Sequence, residues 1–297
     1  MFDEVRKNKI KSVILIFIFL ILVGILGSVI GLIYDSLTFG LAFSLIVGLV
    51  YILIVYNSGD KMILTMTGAR PVTKKEFPYL YHTIEGLAIA AGLPAPKAYV
   101  IDDDALNAFA TGKDPKHASI TVTTGLLKKM NRQELEGVVA HEMSHIQNYD
   151  VRFMMLTIVL VGLVTLLSDF ILRSFLWGGH GKRRDHGGGN IQIIFILIGL
   201  LFAILAPLVG YMIKLAISRK REYMADANAA ILTRYPPGLA SALGKIKGDP
   251  DPLVDKANKA TAQLFISTPF RKKHGFMENL FSTHPPIEER IRRLKEM

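Results

Sequence analysis

The sequence contains no cysteine among its 297 residues. That excludes disulfide scaffolds, thiolate metal sites and cysteine nucleophiles, and it says little about compartment. Charge is scarce as well. Asp, Glu, Lys and Arg make up 20% of the chain, against 51% apolar residues. Such a balance excludes a disordered chain. It also excludes an ordinary soluble two-domain enzyme, because the apolar residues gather in long blocks. The charge that exists leans basic, with a formal net of +10. A basic excess can mark a nucleic-acid binder. Beside long apolar blocks it reads instead as a topology signal and as contact with anionic lipid.

Four blocks stand out. Residues 12–34 and 36–59 give 23 and 24 positions without a charge. Residues 153–177 carry only Asp169 and Arg173, and 187–213 are 27 uncharged positions. About 20 apolar residues cross a ~30 Å hydrocarbon core as a helix. The blocks therefore predict two membrane hairpins, 12–59 and 153–215. The first block has no small-residue cleavage site before a second span, so it reads as an anchor rather than a signal peptide. Gly24, Gly27 and Gly31 line its helix, and such glycines let helices pack closely. Asp169 and Arg173 are four apart and can pair on one helix face. The glycine-rich loop between blocks three and four holds His180 and His186, and reads as a flexible linker.

Lys and Arg set the orientation. Arg6, Lys7, Lys9 and Lys11 precede the first hairpin, and Lys61, Arg70, Lys74 and Lys75 follow it. Its turn at Asp35 has neither residue type, so both ends are expected in the cytosol. The second hairpin is flanked in the same way, but its loop carries Lys182, Arg183 and Arg184. That hairpin is then shallow, or an exception to the rule. The polar regions 60–152 and 216–297 are expected together in the cytosol, as two parts of one domain large enough for a core.

Within the first part, residues 78–91 have helical period and stop at Gly92 and Pro94. His82 on this helix reads as a packed or surface histidine. Residues 97–101 read as a strand and 102–112 as turn-like at the start. Residues 117–123 alternate, with Ile120 and Val122 on one face and Ser119, Thr121 and Thr123 on the other. That pattern predicts a half-buried strand. Asn131 and Glu134 have the spacing of a capping box and open a helix.

That helix carries His141-Glu142-Met143-Ser144-His145. Residues four apart lie about 40° from one another around a helix, so both imidazoles face one way. Imidazole nitrogens suit a zinc ion. Glu142 lies about 100° round from the first histidine, where it can serve as a base without ligating. A catalytic zinc takes three protein ligands and keeps one open position. A third candidate follows the fourth block, where Glu222 and Asp226 are again four apart. One of them can bind the metal; the other can hold the far nitrogen of a histidine. His145 lies eight residues before Phe153, and Glu222 nine after Ile213. At about 1.5 Å per helical residue each ligand sits ~12–14 Å from the bilayer, so the two metal-bearing helices are expected to continue adjacent spans.

HEMSH on a helix before a membrane hairpin, followed by Glu222-Tyr223-Met224-Ala225-Asp226, resembles the HtpX-type integral-membrane zinc metallopeptidases, relatives of the CAAX prenyl proteases. The resemblance covers essentially the whole chain. It implies a mainly α membrane protein: four transmembrane helices plus a gluzincin-like α+β zinc peptidase domain with a small β-sheet. It implies one Zn²⁺ per chain held by His141, His145 and Glu222, with Glu142 as catalytic base and Asp226 behind a ligand. Asn107, Ala108, Phe109 and Ala110 resemble the family's stretch beside the cleft. His284, before Pro285 and Pro286, either stabilises the oxyanion or has a simple capping or surface role at the final helix. Ile287, Ile291 and Leu294 form that helix's apolar face, and Arg290, Arg292, Arg293 and Lys295 read as a solvated one.

The expected activity is endoproteolysis of unfolded or damaged membrane proteins, at the cell membrane, with the peptidase domain cytoplasmic. Substrate would add as a strand along Ser119, Ile120, Thr121, Val122 and Thr123. Two rivals remain. A prenyl-protein protease should have more spans. A metal-binding receptor or transporter should carry more polar groups at the membrane midplane. No nucleic-acid partner is expected, and the oligomeric state is not legible.

Overall fold

A computed structural model describes residues 2–33, 35–160, 162–163, 219–249, 261, 264–266 and 285–297. Most of the second expected hairpin, with Asp169, Arg173, His180 and His186, lies outside the described residues, as does His284. The chain divides into two units, one comprising 12–56 and 156–213, the other 1–11, 57–155 and 214–297.

In the first unit, two helices dominate, α1 (Phe2–Ile33) and α2 (Leu37–Met66). Their segments Asp3–Ser28 and Leu37–Met66 are long and apolar enough to cross a membrane. Outward side chains such as Phe17, Ile21, Phe43 and Leu53 are exposed, as a lipid-facing surface requires. The helices meet through small residues. A Cβ on Gly31 would sit 2.9 Å from the Cα of Gly40, so neither glycine tolerates a side chain there. The turn closes at Asp35, in the left-handed region with φ 52°, and the Ser36 N–H donates to the Gly31 carbonyl at 2.9 Å.

The second unit is built on a four-stranded mixed sheet in the order β1-β2-β4-β3. The strands are β1 (Arg70–Pro71), β2 (Lys97–Ile101), β3 (Ala108–Gly112) and β4 (Ala118–Thr123). β4 runs parallel to β2 and antiparallel to β3, with Ala110 opposite Ile120. Three helices precede the turn at Asn148 and Tyr149: α3 (Pro78–Ala91), α4 (Thr124–Lys129) and α5 (Arg132–Gln147). α3 ends on Gly92 at φ 66°, a left-handed cap that glycine adopts without strain. A helical run at 150–160 (α6) follows, then α7 (Arg219–Thr233), α8 (Pro236–Lys247) and α9 (Ile287–Lys295).

α5 is the centre of the unit. Its capping box is formed, with Asn131 and Glu134 each bonding the other's backbone N–H. All of 137–146 is buried. Val138, Val139 and Met143 join one core with Leu80 and Ile84 of α3, Ile120 and Val122 of β4, and Leu239 and Leu243 of α8. Gly137 permits that crossing, since a Cβ there would sit 2.6 Å from the Leu239 backbone nitrogen.

The start of 102–112 is irregular, as its turn-like composition predicts, and β3 follows it; each of the five β3 residues is buried, so the strand lacks the alternation that marks a half-exposed one. Three expectations need correction. β4 is not half-buried. All six of its residues are buried, and both its edges are paired, so no substrate strand can add beside Ser119, Ile120, Thr121, Val122 and Thr123. α5 does not run unbroken toward the third apolar block: it stops at Gln147, Tyr149 turns left-handed at φ 59°, and α6 starts afresh. Arg290 is not on a solvated face; it is fully buried, on the side of α9 that carries Leu294.

Candidate metal centre

His141 and His145 project from α5 with their rings edge to face, centroids 4.8 Å apart. Their Nε2 atoms lie 3.2 Å from each other. Glu222, from the first turn of α7, brings Oε2 to 3.7 Å from His141 Nε2 and Oε1 to 3.5 Å from His145 Nε2. One ligand atom from each residue falls within 4.8 Å of the others. A tetrahedral ion with bonds of about 2.0–2.1 Å separates its ligand atoms by ~3.4 Å. The two Nε2 atoms, 3.2 Å apart, lie close to that spacing, and each has its own Glu222 oxygen at 3.5 or 3.7 Å, so two imidazoles and one carboxylate gather where one such ion would sit.

Both rings are held from behind. His141 Nδ1 donates to Asp226 Oδ1 at 3.0 Å, and His145 Nδ1 donates to Asp150 Oδ2 at 3.0 Å. With both Nδ1 protons so placed, each Nε2 presents its lone pair to the other and to Glu222. Opposed lone pairs repel unless a proton or a metal ion lies between them. The arrangement is therefore a cation site by its own electrostatics.

Arg290 lies beneath it. The guanidinium makes a two-pronged contact with Asp226, Nε to Oδ2 at 2.9 Å and Nη2 to Oδ1 at 2.7 Å. Nη1 donates to the Ile266 carbonyl at 3.2 Å and lies 3.6 Å from Glu222 Oε2. Nη2 is 3.4 Å from both ring nitrogens of His141, so the cation rests against that ring. Burial pushes the Asp226 carboxyl up, but Arg290 and then His141 pull it down to about 2.

Glu142 faces the same cavity as the two histidines and Glu222, together with Ala110, Val151 and Met154. Burial, aided by Glu222, pushes its carboxyl up to about 7, against the pull of His145, Arg290 and the Ala110 N–H that donates to it. A carboxyl held there can exchange a proton at neutral pH. Burial lowers His141. Burial also opposes charge on His145, yet Asp150, Glu222 and Glu142 hold it up to about 9.

β3 is the edge strand beside this cavity. The Ala108 carbonyl points away from β4 and accepts from the Ile266 N–H at 2.9 Å. Phe109 packs edge-on against Phe265 at 5.1 Å. Leu264, Phe265 and Ile266 thus line the cavity and occupy part of its edge strand. Asn107 is buried nearby, and its Oδ1 accepts from the Ala108 N–H at 3.1 Å.

The structure brings together His141, Glu142, His145, Glu222 and Asp226, with Ala110 at the cavity wall. Asp150 and Arg290 were not singled out as site residues. Asp150 carried no periodic signal, being a lone acid between a helix end and an apolar block. Arg290 did carry one, three residues after Ile287 and four before Leu294 on the buried face.

A buried HExxH helix, a glutamate from a second helix and an edge strand alongside define a metallopeptidase. Residues 74–297 match the model of Peptidase family M48. The chain is 48% identical over 296 residues to a Protease HtpX homolog of Dictyoglomus thermophilum, covering 100% of this chain and 94% of that relative. It is 44% identical over 297 residues to a Protease HtpX homolog of Tropheryma whipplei, covering 100% and 98%. The crystal structure of S. mikatae Ste24p shares the fold, with a TM-score of 0.53 at 21% identity, over 99% of this chain and 67% of that one. The chain belongs to peptidase family M48: it is a membrane-associated hydrolase of peptide bonds.

Proposed function

We propose that the chain is a zinc endopeptidase holding one Zn²⁺ through His141 Nε2, His145 Nε2 and the Glu222 carboxylate. The observation that carries this is the convergence of the two Nε2 atoms, 3.2 Å apart, with the Glu222 carboxylate, whose oxygens lie 3.5 Å from one and 3.7 Å from the other. Bound there, zinc supplies Lewis acidity that activates water at neutral pH and polarises a carbonyl. Asp226 and Asp150 keep the two imidazoles in the ligating tautomer. Glu142 takes the proton of the attacking water and delivers it to the leaving amine. Substrate pairs with the outer edge of β3, displacing the Ile266 N–H from the Ala108 carbonyl. Main-chain pairing of that kind reads little sequence, which suits unfolded chains.

The remaining features belong to the same reading. The domains are 12–59 and 153–215 as membrane hairpins, giving four spans, and 60–152 and 216–297 as two parts of a cytoplasmic peptidase domain. The substrates are misfolded or damaged membrane proteins, as proteolytic quality control requires. His284 serves the oxyanion or caps α9. Nucleic acid is no partner, because the basic residues flank the apolar blocks.

The test is metal analysis of the purified protein beside cleavage of an unfolded membrane protein and of a farnesylated peptide. One zinc per chain and chelator-reversible cleavage of the unfolded substrate are expected. Cleavage of the farnesylated peptide alone would favour a prenyl-protein protease, and stoichiometric zinc with no cleavage a receptor.

Zinc must displace the proton that His145 keeps up to about 9 in the metal-free protein. Apparent zinc affinity should therefore rise roughly tenfold per pH unit above neutrality and level off beyond that value. The sign for stability is the reverse. The raised value stabilises the metal-free fold fully below the unfolded 6.5, and that contribution is lost as pH rises through about 9. Chelator competition across this window checks the first statement; a flat profile contradicts it.

A further inference from the structure

The amino-terminal turns of α1 belong to the metal-bearing unit rather than to the hairpin unit. Their sequence is strongly cationic, with Arg6, Lys7 and Lys9 all exposed. Asn8, between two lysines, is 0% exposed. A lone amide buried within a cationic stretch must be answering specific partners. Its Nδ2 donates to the Asn148 carbonyl at 3.0 Å and to Asp150 Oδ1 at 2.7 Å. Its Oδ1 accepts from Arg221 Nη1 at 3.4 Å.

Each partner bears on the metal centre. Asn148 is the residue on which α5 ends, and helix-end carbonyls lack intrahelical donors. Asp150 Oδ1, which Asn8 holds, belongs to the carboxylate whose Oδ2 holds His145. Arg221 precedes Glu222 and also approaches Asp150 Oδ1, at 3.5 Å. One amide thus touches the end of the histidine helix, the aspartate behind His145 and the neighbour of Glu222. Tyr149, left-handed between them, is clamped by Lys9 Nζ at 4.5 Å and Arg152 at 4.8 Å from its ring centroid.

We infer that Asn8 is a positioning residue for the metal centre: through Asp150 it sets the orientation of His145, so the start of the first membrane helix is part of the zinc site. The chemistry favours an amide there. Leucine would leave the Asn148 carbonyl and one Asp150 oxygen without this donor. Lysine would bury a further charge beside Arg221. The two donors and one acceptor used here are an asparagine's own complement. Once α1 is displaced from this position, Asp150 turns and His145 loses its tautomer, without any ligand being changed.

This rests on the zinc reading above, and the experiment separates the two. Full-length protein in detergent is compared as wild type, Asn8→Leu, Asn8→Gln and Lys7→Ala. Zinc affinity is read by chelator competition, and the visible spectrum of the Co²⁺-substituted protein reports ligand geometry. Loss of a group behind a metal ligand weakens binding about 10–100-fold. One step further out, Asn8→Leu is expected to weaken zinc about tenfold, with an altered cobalt spectrum. Asn8→Gln, which keeps the amide, should recover part of both, and Lys7→Ala should match wild type. Wild-type affinity and spectrum in Asn8→Leu overturn the inference, and so does equal loss in Asn8→Gln together with loss of helical circular dichroism. Failure of the wild type to bind zinc overturns the zinc reading instead.

Discussion

Replacing Glu142 with glutamine is expected to lower peptide cleavage about 10²–10⁴-fold while the protein keeps its metal. The two halves of this result have different causes. Glu142 faces the cavity but is absent from the ligand triangle, which His141, His145 and Glu222 complete. Glutamine has nearly the same volume and can still bond the Ala110 N–H, so packing around α5 is preserved. What disappears is the proton acceptor. A loss of that size corresponds to about 3–5 kcal/mol in the barrier. The acid limb of wild-type activity should lie no higher than about 7, the value to which burial and Glu222 raise this carboxyl. A bound zinc ion, being cationic, moves the limb lower still. Single-turnover cleavage alongside zinc stoichiometry checks the claim. Wild-type rates in the variant would remove Glu142 from the base's role, and loss of zinc would make it a ligand instead.

The legible part of the protein was the part written in periods. The spacing of His141 and His145 placed two imidazoles on one face, and the spacing of Glu222 and Asp226 placed two carboxylates on another. The fold preserves both relations, with Glu222 turned to the Nε2 atoms and Asp226 to the far side of His141. The first two apolar blocks were legible by length instead, as long uncharged runs, and both are helices. Segments buried on both sides were not legible. Ala108 to Gly112 has no polar face to alternate with, because its five residues are all covered. β4 does alternate, in hydroxyl and aliphatic residues, but its hydroxyl face is buried too, and the Thr123 hydroxyl donates to the Ala105 carbonyl. Breaks were illegible as well. Asn148 and Tyr149 contain neither glycine nor proline, yet the chain turns left-handed there, stabilised by cations that arrive from α1 and α6. Asp150 gains its meaning only from that turn, which swings it back onto His145.

Arg290 leads to the other large effect. Arg290→Leu is expected to destabilise the peptidase unit by about 3–5 kcal/mol, as breaking a buried ion pair from one side does. Asp226 is 2% exposed, so its carboxylate cannot turn to water once the guanidinium is gone. The Ile266 carbonyl and Glu222 lose a cationic neighbour at the same time. Arg290→Lys should fall between, because an ammonium cannot make the two-pronged contact with Asp226 while also reaching Ile266. The double variant Asp226→Asn, Arg290→Leu should recover much of the stability, since it removes the stranded charge along with its partner. It should not recover metal affinity, because the neutral amide at position 226 orients His141 less firmly. The pH dependence has a definite sign. The Asp226 value of about 2 lies below the ordinary 3.8, so the carboxylate contributes stability that is present above 3.8 and lost as pH falls toward 2. In Arg290→Leu that carboxyl moves up, and acid unfolding should begin at higher pH. Thermal and acid unfolding of the four proteins in one detergent decide the matter. A single variant within 1 kcal/mol of wild type would show that His141 alone satisfies Asp226, and that the buried guanidinium serves the site by its field rather than by holding the fold.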